Sequence, residues 1–279
     1  MIAEWLFLKT SMADLIGPNG FLQENLMTAM FGSSPVSIAG WSQELGWEAK
    51  KAIAWGYWVH LAFLFSFLVG FHTRISSVIV WLGHTIFMNA SIFAIYGVDR
   101  YFHLFIFLSI FMPMGARYSV DAYFLRKPLG NSRDSLLILQ LATTITYLHA
   151  GISKMRGTDW WDGNAIWRAV NLPEFRQFDM LWLSDFPLIM KILCWGTLLL
   201  ETGYIIAVWV RPLRVPWALG IITLHAGIAL FMGLRLFGIS LIAINFVLFV
   251  LPTFRQEEGI EVKRWTDFLA RRPKTQSTV

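Results

Sequence analysis

The stretch KAIAWGYWVHLAFLFSFLVGF runs from Lys51 to Phe71 with no charged residue after its first position. As a helix it would be about 30 Å long, the thickness of a bilayer's hydrocarbon core. Six more apolar runs follow, at about 75–96, 101–115, 134–154, 187–210, 215–233 and 237–253. Backbone in lipid must satisfy its own hydrogen bonds, so runs of this kind are helices. The pattern predicts an all-α, polytopic transmembrane bundle of about seven spans. The third run is short and is expected to be tilted or buried among its neighbours.

Composition agrees: 56% of residues are hydrophobic and 15% charged, against about 25% charged in soluble domains. The bundle is assigned to 51–254. Residues 1–50 are mixed in character, with turn signals at Pro18-Asn19-Gly20 and Gly32-Ser33-Ser34-Pro35, and are expected to form short interfacial helices. Residues 255–279 form a basic tail.

The net charge of +5 comes from basic residues between apolar runs and in the tail. That pattern orients a chain in a membrane and does not point to nucleic acid. Thirteen of the 23 Lys and Arg residues fall on one side, including Arg74, Arg117, Arg133, Arg211, Arg214 and the tail. This predicts a cytoplasmic C-terminus. With seven spans, the N-terminus, Lys154 and the Trp160-Trp161 loop lie outside. One cysteine, Cys194, permits no internal disulfide and no thiol metal cluster. No residue is assigned as a metal ligand, because the spacing of the histidines does not by itself define a haem or copper site. Dinucleotide fingerprints, P-loops, zincin helices and nucleophile elbows are absent from the sequence.

What remains is polar residues inside apolar runs. His60, His72, His84, His103, His149 and His225 all lie in or at the ends of spans, Glu201 lies mid-span, and Asn89 and Asn245 are also intramembrane. An ionisable group at the centre of a membrane helix costs roughly 2.5–3.5 kcal/mol. Such groups face the bundle interior or a wet cavity, which makes Glu201 the strongest pointer to a site. Lys154 has two readings: a lysine at a span end anchors the helix by reaching the headgroups, whereas one in a dry pocket loses its proton more easily and can act as a base.

Three blocks carry a resemblance. The first is Gly97-Val98-Asp99-Arg100-Tyr101-Phe102-His103, continuing to Arg117-Tyr118-Ser119-Val120-Asp121. The second is Ala150-Gly151-Ile152-Ser153-Lys154 followed by Asp159-Trp160-Trp161-Asp162-Gly163. The third is His225-Ala226-Gly227 with the apolar run after it. Together they resemble the horizontally transferred transmembrane (HTTM) family, which includes the vitamin K-dependent gamma-carboxylases. Gly17-Pro18-Asn19-Gly20 is similar to a further family loop.

The resemblance implies that Lys154 is an active-site base and that His103 stands in the same site. Glu201, His225, Trp160 and Trp161 are the accompanying substrate-binding candidates. It also implies a quinone-like or other lipid-soluble substrate, and residence in a bacterial inner membrane. The carboxylases carry a large lumenal domain after their membrane part, where this sequence has only a basic tail. Carboxylation of protein glutamate is therefore not expected. The alternative is a non-catalytic membrane subunit that binds a partner protein, in the membrane or outside the cytoplasm, a lipid or a cofactor.

Overall fold

The computed structural model describes residues 2, 5–6, 38–90, 97–116, 118–125 and 132–256. Among them there are helices and turns and no strand. The helices are α1 (Ile38–Glu44), α2 (Ala49–Val69), α3 (Thr73–Ala90), α4 (Gly97–Ile110), α5 (Val120–Leu125), α6 (Ser132–Met155), α7 (Thr158–Asp162), α8 (Asn164–Asn171), α9 (Pro187–Ala207), α10 (Arg211–Phe231), α11 (Arg235–Asn245) and α12 (Leu251–Gln256). A π-helical turn, Phe246–Val250, joins the last two.

Five helical stretches are long and apolar enough to cross a membrane: Ala49–Val69, Arg133–Met155, Pro187–Ala207, Arg211–Phe231 and Arg235–Phe254. Among the described residues, the second and third sequence runs do not reach that measure. α3 has 18 residues, about 27 Å. α4 has 14 residues, about 21 Å, well short of a hydrocarbon core of about 30 Å. α4 stops at Ile110 because Pro113 follows and Gly115 takes a left-handed φ of 76°. α3 and α4 run in opposite directions, so residues 70–73 and 118–121 lie at one end, opposite Lys154.

Hydrogen bonds hold that end together. The Asp121 carboxylate accepts from the backbone N–H of His72 (2.8 Å) and Thr73 (2.9 Å) and from the Thr73 hydroxyl (2.7 Å). It caps α3 from a distant segment and satisfies donors a helix start leaves free.

The bundle has an inverted polarity. On α9, Thr197, Glu201 and Tyr204 are buried, while Leu188, Ile192, Trp195, Leu199 and Ile206 are exposed. Helical spacing puts these sets on opposite faces, as expected when the surroundings are lipid. Two buried apolar clusters form the core. One joins α2, α3 and α4 through Ile53, Tyr57, Leu61, Val80, Phe87 and Ile106, and includes Trp5. The Trp5 carbonyl accepts a hydrogen bond from Tyr57 (2.7 Å), so part of the expected surface segment belongs to the core. The other joins α6, α9, α10 and the π turn through Tyr147, Tyr204, Val208, Ile221 and Phe249. Residues 7–37 and 257–279, with most of the interfacial segment and the tail, lie outside the described residues, as does Gly17-Pro18-Asn19-Gly20.

Candidate functional site

Helices α6 and α9 pack together more extensively than any other pair, and Gly151 permits it. A Cβ at that position would lie 2.6 Å from Thr202 Cγ2, 3.0 Å from the Thr202 backbone N and 3.2 Å from Glu201 Cβ. The glycine of Ala150-Gly151-Ile152-Ser153-Lys154 thus brings the Glu201 turn of α9 against α6, one turn below the lysine. Side chains lean toward their helix's N-terminus. α6 and α9 run in opposite directions, so Lys154 leans inward and Glu201 leans toward the Lys154 end, and the two meet.

Lys154 Nζ donates to both carboxylate oxygens of Glu201, at 2.9 and 2.6 Å. The Glu201 side chain is 6% exposed and that of Lys154 27%. The amine also lies 5.5 Å from the ring centre of Trp160. A lysine that only anchors its helix would turn outward to the headgroups. Lys154 turns inward to a buried carboxylate.

A polar chain continues from this pair. Tyr147 and Lys154 share a face of α6 at a spacing of seven, and Glu201 and Tyr204 share a face of α9 at three. Tyr204 donates to Asn245 Oδ1 (2.5 Å), and Asn245 Nδ2 donates to the Tyr147 hydroxyl (2.7 Å) and to the Leu241 carbonyl (2.8 Å). The Tyr147 hydroxyl meets His225 Nε2 at 2.9 Å. Asn245 ends α11 where the π turn begins, and Gln140 donates to the Leu248 carbonyl of that turn (2.6 Å). π turns widen a helix and concentrate at functional sites. Among the described residues, His225 Nδ1 is buried without a partner.

Residues 156–186 cover this end of the bundle. α7 and α8 rest on α9, and α7 also contacts α6. Gly163 adopts φ 86°, and a Cβ there would lie 2.9 Å from the Lys191 backbone N, so only glycine fits. Trp161 Nε1 donates to the Met155 carbonyl (2.8 Å), and Trp195 Nε1 donates to the Trp161 carbonyl (3.0 Å). The two tryptophans divide their work: Trp160 faces the lysine, whereas Trp161 is exposed and fastens the cover to α6 and α9. Phe178 reaches Phe231 at 6.0 Å between ring centres, which carries the cover across to α10.

His103 stands apart from Lys154. Its ring lies 5.4 Å from that of Trp81, and its Nδ1 is 3.4 Å from His84 Nδ1. Tyr101 occupies the face of α4 toward Tyr147, at 6.3 Å between ring centres. Two residues further on, His103 is rotated about 200° away. Lys154, Glu201, His225 and Trp160 are thus brought to one end of the C-terminal half, and His103 is placed in the N-terminal half. The sequence reading missed Tyr147, Tyr204 and Gln140. The first two were signalled by their helical register with Lys154 and Glu201; Gln140 carried no such signal.

The fold defines a helical bundle with five helices able to cross a membrane and an ion pair buried between two of them. No family model, no curated protein and no solved structure matches the chain.

Proposed function

We propose that the chain is a seven-span membrane protein of the HTTM type, with Lys154 on the outer side. In this reading it acts on a quinone-like or otherwise lipid-soluble substrate, and Lys154 is the base. The observation that carries the proposal is the inward turn of Lys154 onto Glu201. A base needs a free amine. In this reading the buried Glu201 carboxylate takes one proton from Nζ and stores it, and the free Nζ accepts another from an acidic C–H or O–H of the substrate.

Donors suited to a carbonyl-bearing head group are present. Lys154 Nζ is one, and the partnerless Nδ1 of His225 is the other when it carries the ring proton. Trp160 offers an aromatic face. These three would hold a quinone, and such a group supplies redox chemistry when bound. His103 is left out of this step because its ring faces α3.

The test is extraction of organic-soluble material from detergent-purified protein, followed by mass spectrometry. Wild type is expected to carry a quinone-like compound that Lys154→Met loses. Equal amounts in both would refute the site. A second reading has its own support: Leu172, Phe178, Leu181, Trp182 and Phe186 are all exposed on the cover. That apolar rim suits a non-catalytic subunit that docks a membrane partner. Stable co-purification with one protein partner, combined with ligand-free wild type, would favour it.

A further inference from the structure

Among the described residues, the N-terminal half holds buried polar groups without hydrogen-bond partners. α3 and α4 form a hairpin in which His84 lies six residues before the end of α3 and His103 six residues after the start of α4. Both therefore lie about 9 Å in from the same end. Their Nδ1 atoms are 3.4 Å apart, longer than an ordinary N–H···N hydrogen bond of about 3 Å. Two imidazole nitrogens bound tetrahedrally to one ion at 2.0–2.1 Å are about 3.3 Å apart. The ring centres lie 5.6 Å apart with planes inclined at 27°, so the two Nδ1 atoms face one another between α3 and α4.

A second observation points to the same place. His60 on α2 is 2% exposed, and neither of its ring nitrogens has a partner among the described residues. It lies against the backbone beside His84: a Cβ on Gly83 would collide with His60 Nδ1. Trp81 Nε1 is buried and without a partner too, although its ring lies 5.4 Å from that of His103. Buried polar groups in native proteins are almost always satisfied. Two such side chains, His60 and Trp81, lie beside the His84–His103 pair within one three-helix cluster.

We propose that His84 and His103 bind one transition-metal ion through their Nδ1 atoms, in a site independent of Lys154. Imidazole donors select zinc, copper, iron or nickel over calcium and magnesium. Among the described residues no three histidine, cysteine or carboxylate side chains already converge to hold a metal. The ion therefore has two protein ligands at this spacing, with His60 the adjoining donor. Trp81 Nε1 is left to hydrogen-bond whatever small ligand completes the coordination.

The test uses full-length protein carrying a histidine-free tag, purified in detergent. It is loaded separately with Zn(II), Cu(II) or Co(II), stripped of loose metal on a chelating resin, and measured by elemental mass spectrometry. Wild type should retain one equivalent per chain of zinc or copper. His84→Gln and His103→Gln should each lower retention at least tenfold while eluting as the same monodisperse species, and Lys154→Met should retain as much as wild type. Co(II)-loaded wild type should show visible d–d bands of a nitrogen-ligated tetrahedral ion, which decides the matter if a histidine variant misfolds. Wild type that retains no metal, or retention unchanged in the double histidine variant, overturns the proposal.

Discussion

Replacing Lys154 with methionine keeps the apolar stem and removes the amine that binds both Glu201 oxygens at 2.9 and 2.6 Å. Glu201, 6% exposed, then stays ionised without a partner or takes a proton. Neutralising a free glutamate at pH 7 costs about 3.7 kcal/mol, from its ordinary pKa near 4.3 and 1.36 kcal/mol per unit. Breaking a buried pair costs about 3–5 kcal/mol. Lys154→Met should therefore destabilise by about 3–4 kcal/mol at pH 7. The reverse change, Glu201→Leu, should cost only about 1 kcal/mol. Lys154 sits one residue from the end of its helix with its side chain 27% exposed, so it can swing out to water.

Unfolding in mixed dodecyl sulfate and maltoside micelles, followed by circular dichroism, measures both costs. Equal costs for the two substitutions would refute the reasoning.

Gly151→Ala should cost about 1–3 kcal/mol in the same titration, because the added methyl meets the Thr202 backbone N at 3.0 Å and rigid helix cannot give way. Tyr147→Phe should cost about 1–3 kcal/mol, since it strips the partner from His225 Nε2 and one acceptor from Asn245 Nδ2; a loss under 0.5 kcal/mol would show that the polar chain adds little. Gly163→Ala should destabilise by about 1–3 kcal/mol through its left-handed φ of 86°. Limited proteolysis should find 156–186 cleaved faster in that variant, with α9 and α10 still protected.

Much of the fold was legible because long apolar runs have one solution in lipid. The runs ending at Phe71, Lys154, Val210, Gly233 and Thr253 became helices of spanning length. The run at 101–115 reads as a span on hydropathy, which does not register that Pro113 and Gly115 stop its helix at Ile110, and the run at 75–96 is described as helix to Ala90. Glu201 was legible from its cost in an apolar run. Lys154 was not separable from an anchor by its position, because both readings put a lysine at a helix end.

Their meeting was not legible, since 47 residues separate them and no spacing rule links two helices. Gly151 was visible in the sequence, but the close approach it permits depends on which helix packs there. His103 was expected in the Lys154 site because the resemblance implies it. Depth fixes height along the bundle and leaves rotation open, and Tyr101 takes the face toward α6.

Titration of a short-chain naphthoquinone into detergent-purified protein, followed by quenching of tryptophan fluorescence, tests the central claim most directly. The account predicts saturable quenching in wild type and a Kd at least tenfold weaker, about 1.4 kcal/mol, in Lys154→Met. His84→Gln should bind the quinone like wild type. Identical Kd values in wild type and a well-folded Lys154→Met variant would contradict the assignment of Lys154 to the substrate site.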